Sequence, residues 1–188
     1  MHAVFSLGAL LTMVSSAALS SAAAGCDLKP VDLTDLLRVQ VGVELVSTTG
    51  LVDPDSAEPI LRYIVSLSDG SLMVLDQRDC LIRNISLSLL HRQPDLSMIS
   101  RRALADILAL TPLWQEGFAG QDPAQLLNAE VDSARFRALV ASGQPGSYAA
   151  DDQFDASGAA SEALISIVPL EGGPFRAFLS LDLSLGGE

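Results

Sequence analysis

The sequence predicts an α+β domain: a mostly antiparallel sheet, built from an N-terminal meander and a C-terminal hairpin, with two helices on one face. Three observations predict it. Apolar residues recur at every second position over much of 61–90, at every third or fourth position from Ile99 to Phe136, and at every second position again from Ala163 onward. Strands, then helices, then strands is the order expected when helices cover one side of an antiparallel sheet.

Each element has its own signal. Residues 32–37 form a short helical turn with Asp32 or Thr34 as its cap. Val39, Val41, Val43 and Leu45 alternate with Gln40, Gly42 and Glu44, which predicts a first strand. The stretch TTGLVDPDSAEP at 48–59 is dense in turn residues and reads as a loop. Leu61, Tyr63, Val65 and Leu67 then line one face of a strand. Asp69-Gly70 marks a hairpin, because both positions tolerate positive φ. A further strand over 81–90 sets Ile85, Leu87 and Leu89 against Ser86 and Ser88.

The first helix starts from Asp95 or Ser97 and stops at Thr111-Pro112, since the residue before proline disfavours the α region. The second opens at Asp122-Pro123, cap then first-turn proline, and runs to Gly143, with Asp132-Ser133 weakening its middle. Residues 143–161 are a polar loop. The last hairpin joins 163–169 to 175–185, with Leu179, Leu181 and Leu183 facing one way and Ser180, Asp182 and Ser184 the other.

Residues 1–25 contain no Asp, Glu, Lys or Arg, and their apolar run over 3–14 has the length of a signal-peptide core. Ala22-Ala23-Ala24 suits signal peptidase. Serines dilute this stretch and no basic flank follows it, which argues against a retained span of about 20 residues. The expectation is a cleaved signal peptide at 1–25, a single α+β domain at 26–188, no membrane span in the mature chain, and a periplasmic or secreted location.

Two fates compete for Cys26. The mature chain holds two cysteines, an even number, and an exported chain meets an oxidising compartment. A Cys26–Cys80 bridge would close a loop of about 55 residues and stabilise the fold by roughly 4 kcal/mol. Alternatively, Ala23-Ala24-Gly25-Cys26 resembles a bacterial lipobox, with Ala23 standing where leucine is usual. That resemblance implies lipidation of Cys26, a membrane-anchored lipoprotein, and, through Asp27, retention at the inner membrane. The two fates exclude one another, and the even count favours the bridge.

The net charge of −12 lies wholly in the mature part and repels phosphate backbones and anionic headgroups, which excludes nucleic acid as a partner. Only His91 remains after the leader, so H-E-x-x-H zinc chemistry is excluded, and no G-x-S-x-G elbow accompanies it. Asp151, Asp152 and Asp155 in DDQFD are oxygen ligands of a kind that suits Ca²⁺. Ala156 stands where a calcium loop needs glycine, so a solvated loop is the favoured reading and no cofactor is expected. Trp114 is the best single candidate for a ligand or partner contact, its plain alternative being a cap on the core between the two helices. These features fit a noncatalytic envelope protein, bacterial in type, that binds or assembles with another envelope protein. The alternatives are a lipid-anchored subunit of an envelope complex, or a hydrolase using the acidic loop residues and His91.

Overall fold

The computed structural model describes residues 26–92, 96–118, 120–150 and 161–185. The meander is β1 (Val43–Val52), β2 (Pro59–Leu67), β3 (Leu72–Asp79) and β4 (Arg83–His91). The late strands are β5 (Gly146–Ala149), β6 (Ser161–Pro169) and β7 (Ala177–Leu185). They make one antiparallel sheet in the order β1-β2-β3-β4-β7-β6-β5, so the C-terminal hairpin docks beside β4 and leaves β1 and β5 at the edges.

Register explains the core. Tyr63, Leu75, Leu87, Leu181 and Ile165 stand directly opposite one another on successive strands, and Val65, Met73, Leu89, Leu179 and Ile167 form the next row. All ten are buried. Burying each large apolar side chain contributes about 1.5–3 kcal/mol, so a one-residue slip that turned these rows to water would be prohibitive.

The described helices are α1 (Thr34–Arg38), α2 (Met98–Leu110), α3 (Pro112–Gly117), α4 (Pro123–Val131) and α5 (Ala134–Ser142). Leu37, Leu104, Ile107, Leu108, Leu127 and Phe136 join those sheet rows in one apolar cluster. Caps set the boundaries. The Ser97 hydroxyl accepts the Ser100 N–H at 3.1 Å and starts α2. Extended Thr111 ends α2 and then caps α3, with Pro112 in its first turn. α4 starts at Asp122-Pro123 as expected, but Asp132-Ser133 breaks the predicted second helix into two, with Ser133 capping α5 through the Phe136 N–H. Gly143 closes α5 at φ +60°.

Three further expectations need correction. The alternation at Val39 and Val41 is not a strand: the chain leaves α1 there, turns at Gly42 (φ +77°), and exposes those two valines by 73% and 97%. The first strand begins at Val43 and continues through Thr48, Thr49 and Gly50, which read as loop, because pairing with β2 carries the extended backbone to Val52. Residues 146–149, also expected in a loop, form β5 through pairing with β6.

The N-terminal segment is strapped across the sheet. Cys26 and Cys80 form a disulfide, and the Leu28 N–H donates to the Cys80 carbonyl at 3.0 Å. The Tyr63 hydroxyl accepts the Leu33 N–H at 2.7 Å and donates to the Val31 carbonyl at 3.1 Å, which also accepts from Gln77 Nε2 at 2.8 Å. With its sulfur bonded to Cys80, Cys26 has no thiol to carry an acyl anchor.

Candidate binding surface

Strand alternation sends the other half of the side chains to the second face of the sheet. None of them belongs to the apolar cluster that joins the helices to the first face. Pairing sorts them into rows. Arg62, Asp76, Ser86 and Asp182 are successive partners in one row; Ser88, Ser180 and Ser166 continue the next from Ile64 and Val74. Toward the other strand ends, Leu72, Leu90 and Phe178 make an apolar band.

Arg62 grips Asp76 with two parallel bonds, Nε to Oδ1 at 2.7 Å and Nη2 to Oδ2 at 2.6 Å. Bidentate geometry of this kind is stiff and strong. The hydrogen bond to Asp76 raises the Arg62 pKa further, outweighing desolvation, so the guanidinium stays charged.

At the end of this face nearest the β1–β2 turn lies a groove of about 540 Å³. Arg78, Asn84, Asp182 and Ser184 form its floor, and Asp53 and Glu58 of the turn form its rim. Asp53 Oδ1 accepts the N–H groups of Asp55 (2.9 Å) and Ser56 (3.1 Å), while Oδ2 lies 3.5 Å from Arg78. The two backbone donors, aided by Arg78, hold the Asp53 carboxyl below the usual carboxylate range. The groove thus offers a guanidinium, an amide, hydroxyls and carboxylates, a set suited to polar recognition.

A second polar centre sits where the β2–β3 turn meets the start of α2, around a cavity of about 30 Å³. Asp69 accepts from the Ser97 and Ser100 hydroxyls at 2.5 and 2.7 Å and from the Ser71 N–H at 2.9 Å. Burial pushes the Asp69 carboxyl up, but these donors outweigh it and hold the group well below the usual range. His91 lines the same cavity, is 4% exposed, and leaves Nε2 without a hydrogen-bond partner among the described residues. Burial lowers its pKa while the Asp69 charge acts in the opposite direction. In a serine–histidine–acid relay the imidazole stands between hydroxyl and carboxylate. Here both hydroxyls go directly to Asp69, so the centre works as a clasp between turn and helix.

The residues singled out by sequence fall elsewhere. Trp114 is 4% exposed, stacks on Phe118 with ring centres 4.6 Å apart, and donates its indole N–H to the Gln121 carbonyl at 3.3 Å. It lies on the helix-bearing side, away from the groove. Asp151, Asp152 and Asp155 lie outside the described residues. Among the described residues, no three His, Cys, Asp or Glu side chains come together to hold a metal, and no helix is long and apolar enough to cross a membrane. The groove was missed because its parts come from five separate places in the chain. The available signal was the run of serines and acids at alternate positions of the two strands that become β4 and β7. The chain matches no protein family, no curated protein and no solved structure.

Proposed function

We propose that this protein is an exported binding or assembly module of a bacterial envelope, and that it engages its partner through the open face of the sheet. The observation that carries the reading is the asymmetry of that sheet. Every strand residue in the core cluster lies on one face, whereas the second face holds serine rows, an Arg62–Asp76 pair and a polar groove outside that cluster. A surface rich in hydrogen-bonding groups with an apolar band beside it has the mixed character of a reversible protein interface. The Cys26–Cys80 bridge supports an oxidising compartment, where such bonds persist.

The test is site-directed photocrosslinking in cells that express the full-length chain. A photoreactive residue at Ser88 or Ser184 is expected to give a discrete adduct, and one at exposed Gln125 on α4 is expected to give none. No adduct from the open face, or the same adduct from Gln125, defeats the reading. The export component has its own readout, the intact mass of the protein from the envelope fraction. A chain starting at Cys26 and lacking two hydrogens is expected; a chain retaining Met1 with both thiols reduced refutes export.

A further inference from the structure

We infer that β1 is a self-association edge, through which two copies of this chain form one continuous antiparallel sheet. β1 ends the sheet, and among the described residues no strand pairs with its outer side. Edge strands in natural proteins are guarded by brevity, lysine, proline or bulges. β5, at the opposite edge, is guarded by brevity, with four residues. β1 has ten, with no lysine, arginine or proline, and its one irregularity falls between Leu45 and Ser47. Beyond that point residues 47–52 run straight and carry no charge.

Three of the exposed large apolar residues, Val46, Leu51 and Val52, lie on β1 itself, and four more lie in the segment that leads into it. Seven of the eleven large apolar side chains exposed among the described residues lie between 31 and 52, including Val46 at 59%, Val52 at 63% and Val41 at 97%. The occupant that fits is a second copy, because 47–52 run antiparallel to itself sets neutral residues opposite neutral ones. A chain of net charge −12 repels itself over most of its surface, and 47–52 is a stretch where two copies can meet without opposing carboxylates. A pairing that keeps each face of the sheet continuous must be centred on a residue. Centring on Thr49 sets Thr49 against Thr49, Ser47 against Leu51, and Val46 against Val52. Centring on Gly50 would put a residue with no side chain on the axis. Thr34 Oγ1 lies 3.3 Å from Thr48 Oγ1, so α1 flanks this stretch. The pairing then brings both α1 helices, with their exposed Leu36, to one side of the seam.

Six residues at about 3.4 Å each span roughly 20 Å, a contact smaller than the ~800 Å² per partner of a standard interface, so the dimer is expected to be weak and concentration-dependent. Sedimentation velocity on protein purified after expression of the full-length chain, over about three decades of concentration through the micromolar range, reads it directly. Thr49 is exposed, so Thr49→Lys and Thr49→Glu leave the fold intact, as circular dichroism verifies. Each variant alone is expected to associate about fivefold or more weakly, because like charges then face each other across the axis. An equimolar mixture of the two is expected to recover association. A monomer at every concentration, association untouched by either variant, or a mixture no stronger than its components each overturns the inference.

Discussion

Removing the disulfide by the paired substitution Cys26→Ala and Cys80→Ala is expected to lower the melting temperature by about 12 °C. The bridged residues are 54 apart in sequence. Releasing a loop of that length returns about 14 cal/mol/K to the unfolded chain, or about 4 kcal/mol at 25 °C. For a domain of about 160 residues the unfolding entropy near the midpoint is about 0.34 kcal/mol/K, which converts that loss into about 12 °C. The folded state changes little. The segment before α1 keeps its noncovalent strap through the Leu28 N–H, the Tyr63 hydroxyl and Gln77. The effect therefore belongs mainly to the unfolded ensemble, and a second readout follows. The bridged chain is more compact when unfolded, so the variant should show a steeper denaturant dependence alongside its lower midpoint. Circular dichroism melts and urea titrations of both proteins, made without reductant, measure both quantities. A melting temperature within about 2 °C of the parent, with an unchanged denaturant slope, refutes the reasoning.

His91 titrates below the ordinary value of 6.5 because burial disfavours its charged form. Its contribution is therefore whole above about pH 6.5 and declines as pH falls below that, so His91→Gln should show a smaller loss of urea stability between about pH 7.5 and pH 5.5 than the parent. Asp69 is also depressed, by its serine donors. It stabilises fully above about pH 4 and loses that contribution on further acidification; Asp69→Asn is expected to cost about 2 kcal/mol at neutral pH and to flatten the profile below about pH 4. Leu87 is 1% exposed between Leu75 and Leu181. Leu87→Ala should cost about 3 kcal/mol or more in a urea titration while leaving crosslinking from Ser184 in place at a temperature where the variant remains folded.

The legible parts of the fold were those whose local pattern and tertiary fate agree. The β2–β3 hairpin was readable because Asp69-Gly70 supplies the positive φ that its turn requires, with Gly70 at +80°. The start of α4 was readable from a capping aspartate followed by proline, and the disulfide from an even cysteine count. The failures have physical reasons. Val39 and Val41 alternate like a strand, yet α1 and the turn at Gly42 override the pattern and leave them in water. Thr48, Thr49 and Gly50 look like a turn, and only β2 on their inner side keeps them extended. β5 exists because β6 is there to pair with it. The same reasoning covers the sites. Serine alternation on β4 and β7 was visible, but their adjacency was not, since it depends on a hairpin docking after the intervening helices have been placed. The clasp at Asp69 likewise needs the β2–β3 turn to meet the α2 cap, a contact across 28 residues to Ser97 that no local signal encodes.

That docking step also separates what stabilises the protein from what it presents. Along β4 and β7, Leu87 and Leu181 face each other under the helices, while Ser86 pairs with Asp182 and Ser88 with Ser180 on the open side. Adjacent residues of one strand therefore serve different ends, one set filling the core and the next forming the surface. Changes at Ser88 or Ser184 remove no core contact and should alter stability by no more than about 0.5 kcal/mol, whereas loss of the C-terminal hairpin would remove part of the open face together with two of the five residues in each central core row. The division holds least at Asp76, which lies on the open face yet is buried and held by Arg62. An Asp76→Ala change would remove the buried half of this pair and leave the partly exposed Arg62 without its partner, so a loss of binding there would need to be read against a loss of folding.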